Sequence, residues 1–357
     1  GRIEDAGTEV TRPEDFRQFL AEHLPPGVLA RLERERELDI GVSLSESERF
    51  RLNLFHQKGV LGMAVRRVPP GALDMAALLI PPAVRALAEQ PRGLVLVTGA
   101  TGSGKSTTLA AMLHHINQNF RRHIVTIEDP IEFLHRDGRS VVAQREVGTD
   151  TLSFASALKH VVRQNPDVIF VGEIRDPESL QTAVSAAMTG HLVVTTMHTV
   201  DVCQTLERII NYYPPALRDQ AAQDLSLALA GIVAQRLLPR QDGKGLVPVF
   251  EILLATPLAR RAVAGRQVDE IEEIMKAGAN DGMQTFTRAL VQRCRDGLLS
   301  VAVAATGATN REEFLLAAQG METGIDTLRS HEVGPDTLDL SMKSLLREAV
   351  RLNASDL

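Results

Sequence analysis

The chain has 357 residues, 44% of them hydrophobic and 24% charged, with a net charge of −6 at pH 7. That length allows two domains with cores of their own, and the balance of apolar and charged residues is ordinary for a soluble globular protein. The acidic total, the absence of Trp and the presence of only two Tyr argue against a nucleic-acid surface or a base-stacking platform, although a local basic patch could hide within such a total.

Cys203 and Cys294 lie far apart with no second Cys or His at ligand spacing, so they read as reduced thiols of a cytosolic protein. No apolar run reaches the roughly 18 residues of a membrane span, and the N-terminus has no signal-peptide layout. Any membrane role is therefore expected to come through a partner, without insertion.

In chain order, "TRPEDFRQFLAEHL" predicts a helix with Thr11 as N-cap, Pro13 in its first turn and Phe16, Phe19 and Leu20 on one face. "PPGVLARLERERE" predicts a second helix. "LDIGVSL" and "RFRLNLFHQ" alternate apolar and polar residues as strands do, and "MAVRRV" reads as a third strand. Residues 1–68 are thus a small α+β domain, and "PPGALDMAALLIPP", residues 69–82, is a proline-stiffened linker with a short helix. From Ala83 the apolar runs "GLVLVTG", "HIVTI", "DVIFVGE" and "HLVVTTM" alternate with helical stretches, the pattern of an α/β domain with a parallel sheet buried on both faces. "LVPVFEILLAT" is one further strand. "PLARRAV", "VDEIEEIMKAG" and "GMQTFTRALVQRCRDG" form a helical part that closes this domain at about residue 300, and residues 301–334 are a C-terminal helical segment. The last stretch, "LLREAVRLNASDL", builds a helix and then turn chemistry, where a tail would ordinarily fray.

"GATGSGKST", from Gly99 to Thr107, follows the strand 94–98 and opens a helix at Lys105, which is the context a phosphate-binding loop requires. Gly99, Gly102 and Gly104 permit a tight loop, and with Ala100, Thr101, Ser103 and Thr107 its amides converge on phosphates at a positive helix end. Lys105 would reach the β- and γ-phosphates of ATP, and the Ser106 hydroxyl would ligate Mg²⁺. A chance glycine-rich turn is the alternative; the strand before and helix after speak against it. "DVIFVGE" has the shape of a Walker B strand, with Glu173 placed to hold the metal, directly or through water, or to orient the attacking water. "TIEDPIEF" ends another strand with Glu128, Asp129 and Glu132, one of which could polarise water; a solvated acidic loop is the other reading. His191 and His198 lie seven residues apart on a strand and so point to opposite faces; one could sense the γ-phosphate, or both could be structural.

With these four stretches in order, the chain resembles the GspE/PilT superfamily of secretion ATPases, over nearly its whole length and on specific motifs. "GATGSGKST" matches the family's Walker A, "TIEDPIEF" its Asp box, "VGEIRD" its Walker B and "GHLVVTTMHT" its His box. The likeness is closest to the twitching-motility branch, PilT and PilU, and "REVGTDTLSFASAL", "DLSLALAGIVAQRLLP" and "DGKG" look more like PilU. The resemblance implies a RecA-like P-loop core with a PAS-like N-terminal domain, and a hexameric ring. It assigns Glu132 as general base, Glu173 as the Walker B glutamate, and His191 and His198 as the His-box pair. It also implies arginines that reach a neighbouring subunit's ATP. Arg49 and Arg51, two apart on one strand face, and Arg66 of the next strand are the candidates, with Arg67 on the opposite face; solvated strand arginines are the alternative.

Two departures qualify the likeness. "QRLLPRQDGKGLVPVFEI" lacks the four-cysteine zinc element of assembly and secretion ATPases, which favours the retraction branch. "PLARRAV" keeps only Arg260 in register with the "AIRNLI" helix of independent retraction motors, which leans toward an accessory motor. The ending "LDLSMKSLLREAVRLNASDL" resembles the start of the family's N-terminal domain, so 335–357 is expected to be that domain's displaced first helix. The natural terminus would then fall between Leu328 and Gly334, by circular permutation or misplacement of a fragment; a second truncated copy is the alternative.

The expectation is a hexameric, Mg²⁺-dependent ATPase that drives pilus retraction at the inner-membrane platform from the cytoplasmic side, with a second retraction ATPase as a further partner. An assembly ATPase of the GspE type, a nucleotide-dependent interaction module without turnover, and a nucleic-acid motor are the competing readings.

Overall fold

The computed structural model describes residues 12–24, 27–43, 49–68 and 74–320. The expectations on 335–357 and on the natural terminus lie outside those residues.

The N-terminal unit runs α1 (Pro13–His23), α2 (Val28–Glu35), β1 (Glu37–Ser43), β2 (Arg49–Gln57) and β3 (Val60–Val68). Among the described residues its strands form one antiparallel sheet in the order β1-β2-β3. Alternation decides its inner face: Leu38, Ile40 and Val42 of β1 and Leu52 and Leu54 of β2 turn onto Leu20, Leu24 and Leu32 of the helices. The N-cap of α1 is Arg12 and not Thr11, because Pro13, preset for helical φ, takes the first helical position; the Arg12 side chain makes no capping bond. Residues 75–79 of the linker are turns, where a short helix was expected, and the Asp74 carboxylate accepts from the Ala76 amide. The helix begins instead at Pro82, where a proline costs no hydrogen bond.

The large unit continues with α3 (Pro82–Glu89), β4 (Gly93–Thr98), α4 (Lys105–Asn119), β5 (His123–Glu128), β6 (Val141–Glu146), α5 (Phe154–Val161), β7 (Val168–Val171), α6 (Pro177–Met188) and β8 (Leu192–Met197). It is completed by α7 (Val202–Asn211), α8 (Arg218–Ala228), β9 (Leu229–Pro239), β10 (Leu246–Leu254), α9 (Pro257–Ala264), α10 (Ile271–Ala277), α11 (Phe286–Arg295), α12 (Val301–Thr306) and α13 (Arg311–Ala318). Seven described strands form one sheet in the order β10-β9-β4-β8-β7-β5-β6, parallel except for β10. The runs expected as strands are its centre: every residue of β4, β7 and β8 is buried, with helices on both faces.

Two strands lack a signal in the sequence. β6 is an edge strand whose second half, Gln144–Glu146, is polar. β9 follows α8 with no intervening residue, so no turn chemistry separates helix from strand. The α8 terminus is closed by Arg260, which donates to the carbonyls of Ser226 and Leu227 at that end and to Ala255. The arginine kept in register with the retraction-type helix therefore caps a helix here.

Leu96 lies at the centre of β4 with no exposed surface. Leu96→Ala is expected to cost about 2–5 kcal/mol, read as a lower denaturation midpoint at unchanged slope. On β10, Glu251 sits beneath the N-termini of α7 and α11, accepting from the Val202 amide at 2.8 Å. Burial pushes its carboxyl from 4.5 up to about 7, against the pull of the Val202 and Phe286 amides and of Arg236. A folded pKa above the unfolded one stabilises the fold fully below 4.5, and that contribution is lost as pH rises to about 7. Glu251→Gln should therefore remove roughly 3 kcal/mol of stability change across that window, measured as the pH dependence of wild-type minus variant unfolding free energy.

Candidate active site

All of the parallel strands end at one edge of the sheet, where ligands sit in folds of this kind. A cleft of about 550 Å³ opens there, walled by the 101–107 loop, the segment 128–135, Glu173 and His198, and roofed by Arg51, Arg66 and Arg67 of the N-terminal unit. β4 ends at Thr98 and α4 starts at Lys105, so six residues reverse the chain between a buried strand and a helix. Gly99 is forced by crowding: a Cβ there would lie 2.4 Å from Ser103 Oγ and 2.5 Å from the Gln235 carbonyl. Gly104, the N-cap, has φ +88° and faces Gln235 Nε2 at 2.8 Å from where its Cβ would be. Gln235 also accepts from Thr108 Oγ1 at 2.7 Å, so β9 braces the loop from the side. The Lys105 ammonium donates to the carbonyls of Gly99 at 2.6 Å and Ala100 at 3.0 Å. Burial lowers its pKa, opposed by the charges of Glu173 and Glu132 across the cleft.

The three acids after β5 divide. Glu128 is buried and accepts from Thr126 Oγ1 at 2.7 Å, Gln144 Nε2 at 3.0 Å and the Glu132 amide at 3.3 Å; burial raises its pKa. Asp129 is also pushed up by burial, with Arg175 and Arg51 pulling it back. Glu132 projects into the cleft and meets Arg51 Nη1 at 3.6 Å. Glu173 is gripped in two places by Arg175, at 2.5 and 2.8 Å, and lies 3.5 Å from His198 Nε2. The Arg175 hydrogen bond, ahead of the weaker pull of His198, holds the Glu173 carboxyl below its usual range.

The two histidines are separated by the strand itself. Both flank β8 rather than lying in it: His198 follows its C-terminal end, in the cleft, while His191 precedes its start and bonds the Ala186 carbonyl through Nδ1 at 2.9 Å. A strand advances about 3.3 Å per residue, so His191 lies at the opposite end of β8 and does not line this cleft. The arginines part as well. Arg51 and Arg66 are register partners and line the cleft with Arg67, despite the expectation that Arg67 faces away. Arg49 instead pairs with Glu146 at 2.5 Å. Together with an Arg31 contact to the Gly148 carbonyl at 3.2 Å, that pair seats the N-terminal unit over this chain's own loop. Within the single chain, Arg51 and Arg66 line the same cleft as Lys105 and Glu132. Arg175 and Gln235 went unnoticed in the sequence; the first stands two residues past Glu173, while the second had no local signal because β9 brings it from more than 120 residues away.

Residues 75–301 match the type II/IV secretion system protein family. The type IV pilus ATPase PilU of Pseudomonas aeruginosa is 43% identical over 295 residues, which is 82% of this chain and 77% of that protein. The chain belongs to the GspE/PilT family of secretion ATPases, and it is an ATP hydrolase. A twitching motility protein of Neisseria gonorrhoeae is 42% identical over 278 residues, 78% of this chain and 74% of its own length. The crystal structure of the pilus retraction motor PilT with bound ADP superposes with a TM-score of 0.78 at 38% identity, covering 84% of this chain and 85% of that one. The α/β core and small antiparallel N-terminal domain of this ATPase are thus those of the solved family member. Among the described residues no helix is long and apolar enough to cross a membrane.

Gly99→Ala should reduce binding of a fluorescent ADP analogue at least about ten-fold while the protein stays folded, because a new Cβ would push Ser103 and β9 out of the loop. Titration of the analogue beside a thermal melt checks both halves.

Proposed function

We propose that this ATPase is a Mg²⁺-dependent motor that works as a homo-hexameric ring and powers type IV pilus retraction, as an accessory motor of the PilU kind. It would act on the cytoplasmic side of the inner membrane, against the pilus platform protein and beside a second retraction ATPase. The observation that carries the reading is the convergence on one inter-unit cleft of Lys105, Glu132, Glu173 and three N-terminal arginines. A nucleotide held there touches both units, so its binding and hydrolysis can move one against the other about the 69–82 linker.

Within the cleft, the loop amides from Gly99 to Thr107 and the Lys105 ammonium would hold the phosphates. Glu132 would take the proton of the attacking water as general base. Arg51 and Arg66 would neutralise charge developing on the γ-phosphate, and His198 beside Glu173 would report its presence. The donor set suits Mg²⁺: a hydroxyl at Ser106 and an ionised carboxylate at Glu173, both lining the cleft. When bound, the ion would supply positive charge that offsets the negative charge of the phosphates.

Support for retraction over assembly comes from the cysteine-free stretch between Arg236 and Phe250 and from the PilU and PilT relatives. Glu132→Gln should lower kcat for ATP about 10²–10⁴-fold with little change in KM, measured by phosphate release from the full chain. Unchanged turnover in that variant would sink the base assignment.

A further inference from the structure

Glu146 ends β6 almost wholly buried, and its carboxylate gathers donors from three parts of the chain. Arg49 of β2 approaches at 2.5 Å and the Gly41 amide of β1 at 3.3 Å, both from the N-terminal unit. The Ile131 amide, in the loop that carries Glu132, donates at 3.1 Å, and Thr149 Oγ1 adds a long contact at 3.5 Å. Side-chain exposures of 14% for Arg49 and 5% for Glu146 mean that water cannot replace either partner, so separating them leaves a buried ion uncompensated. The approach is built for closeness: a Cβ on Gly41 would lie 2.3 Å from Arg49 Nη2 and 2.8 Å from Glu146 Oε2.

The next amide of the same loop has a different anchor. The Glu132 N–H is held by Glu128, which is itself fixed from within the core by Thr126 and Gln144. Of two adjacent amides, one is therefore tied to a carboxylate braced only from within the large unit, and the other to a carboxylate of the sheet's edge strand that is shared with the N-terminal unit. Movement of that unit acts on Arg49 and Gly41, through them on Glu146, and through Glu146 on Ile131, whose chain neighbour is Glu132.

We infer that Glu146 is a positioning residue that couples the seating of the N-terminal unit to the aim of Glu132, so that turnover requires the unit docked. The inference rests on the proposed role of Glu132 as base. An ungripped loop leaves phosphate binding intact, since the 99–107 loop is braced separately by Gln235, but misplaces the base, and misplacement on this scale costs about ten- to a hundred-fold in rate.

The test is steady-state ATP hydrolysis by the full chain carrying Arg49→Met, Arg49→Lys, Glu132→Gln, and Arg49→Met with Glu132→Gln, alongside affinity for a fluorescent ADP analogue and a melt. Arg49→Met should lower kcat by about ten-fold or more with KM and analogue affinity within about two-fold. Arg49→Lys, which keeps the charge, should recover most of the rate. Added to Glu132→Gln, Arg49→Met should cost nothing further, because both act at one step. If Arg49→Met does not fold, Arg49→Gln is read in the same way. Wild-type kcat in Arg49→Met beside an inactive Glu132→Gln overturns the inference alone. Additive losses in the double variant, or a joint fall of kcat, analogue affinity and melting temperature, also overturn it. Wild-type turnover by Glu132→Gln removes the base assignment and the inference with it.

Discussion

The site depends on a reversal of the chain between a strand that cannot be moved and a helix that must begin facing outward. β4 is buried along its whole length, so its last residue, Thr98, has a fixed position in the sheet. α4 leaves amides unpaired at its first turn, as every helix does, and the loop from Gly99 to Gly104 gathers them beside the cleft. Only glycine fits at Gly99, pressed between Ser103 and the Gln235 carbonyl, and the same contact that excludes a side chain keeps the loop from relaxing.

The charges above the loop are arranged on a gradient of burial. Arg49 and Glu146 form the deep pair, with little solvent to compete for either. Arg51 and Glu132 form a shallow one, with a third to two-fifths of each side chain exposed, and such a pair contributes little to stability. Deep charges hold a domain in place, because replacing one partner is costly; shallow charges exchange partners cheaply, which would suit the proposed meeting of Arg51 with a phosphate. Arg175 on Glu173 is intermediate: the carboxylate is largely covered and the guanidinium largely exposed.

The N-terminal unit therefore lines the cleft rather than standing apart from it. Its sheet is small, yet the β2–β3 register that sets Arg51 opposite Arg66 places both arginines over the cleft of the same chain. On the proposed reading, an ATPase built in this way would convert a change at the γ-phosphate into a change of angle between two units, because groups lining the cleft belong to both.

Much of this was legible in the sequence. The strand, loop and helix around Gly99–Thr107 could be read because each is decided by neighbours in the chain: continuous apolar residues, glycines and a helix start. The acid-tipped ends of β5 and β7 were visible for the same reason, as were the alternating strands of the N-terminal unit. What local pattern could not reveal is which groups meet. Glu128, Asp129 and Glu132 are equivalent as letters; burial makes the first a brace and turns the last into the cleft. His191 and His198 look like a pair seven residues apart, yet an extended strand carries them to opposite ends of β8. Arg49 and Arg51 share a strand face, yet one reaches the edge strand β6 and the other the cleft. The sequence by itself determined the chemistry available and the elements that present it, since those follow from short-range sterics and burial. Only the tertiary structure decided partners, because contacts such as Gln235 to the loop and Arg49 to Glu146 join residues about a hundred positions apart, where chain periodicity carries no information.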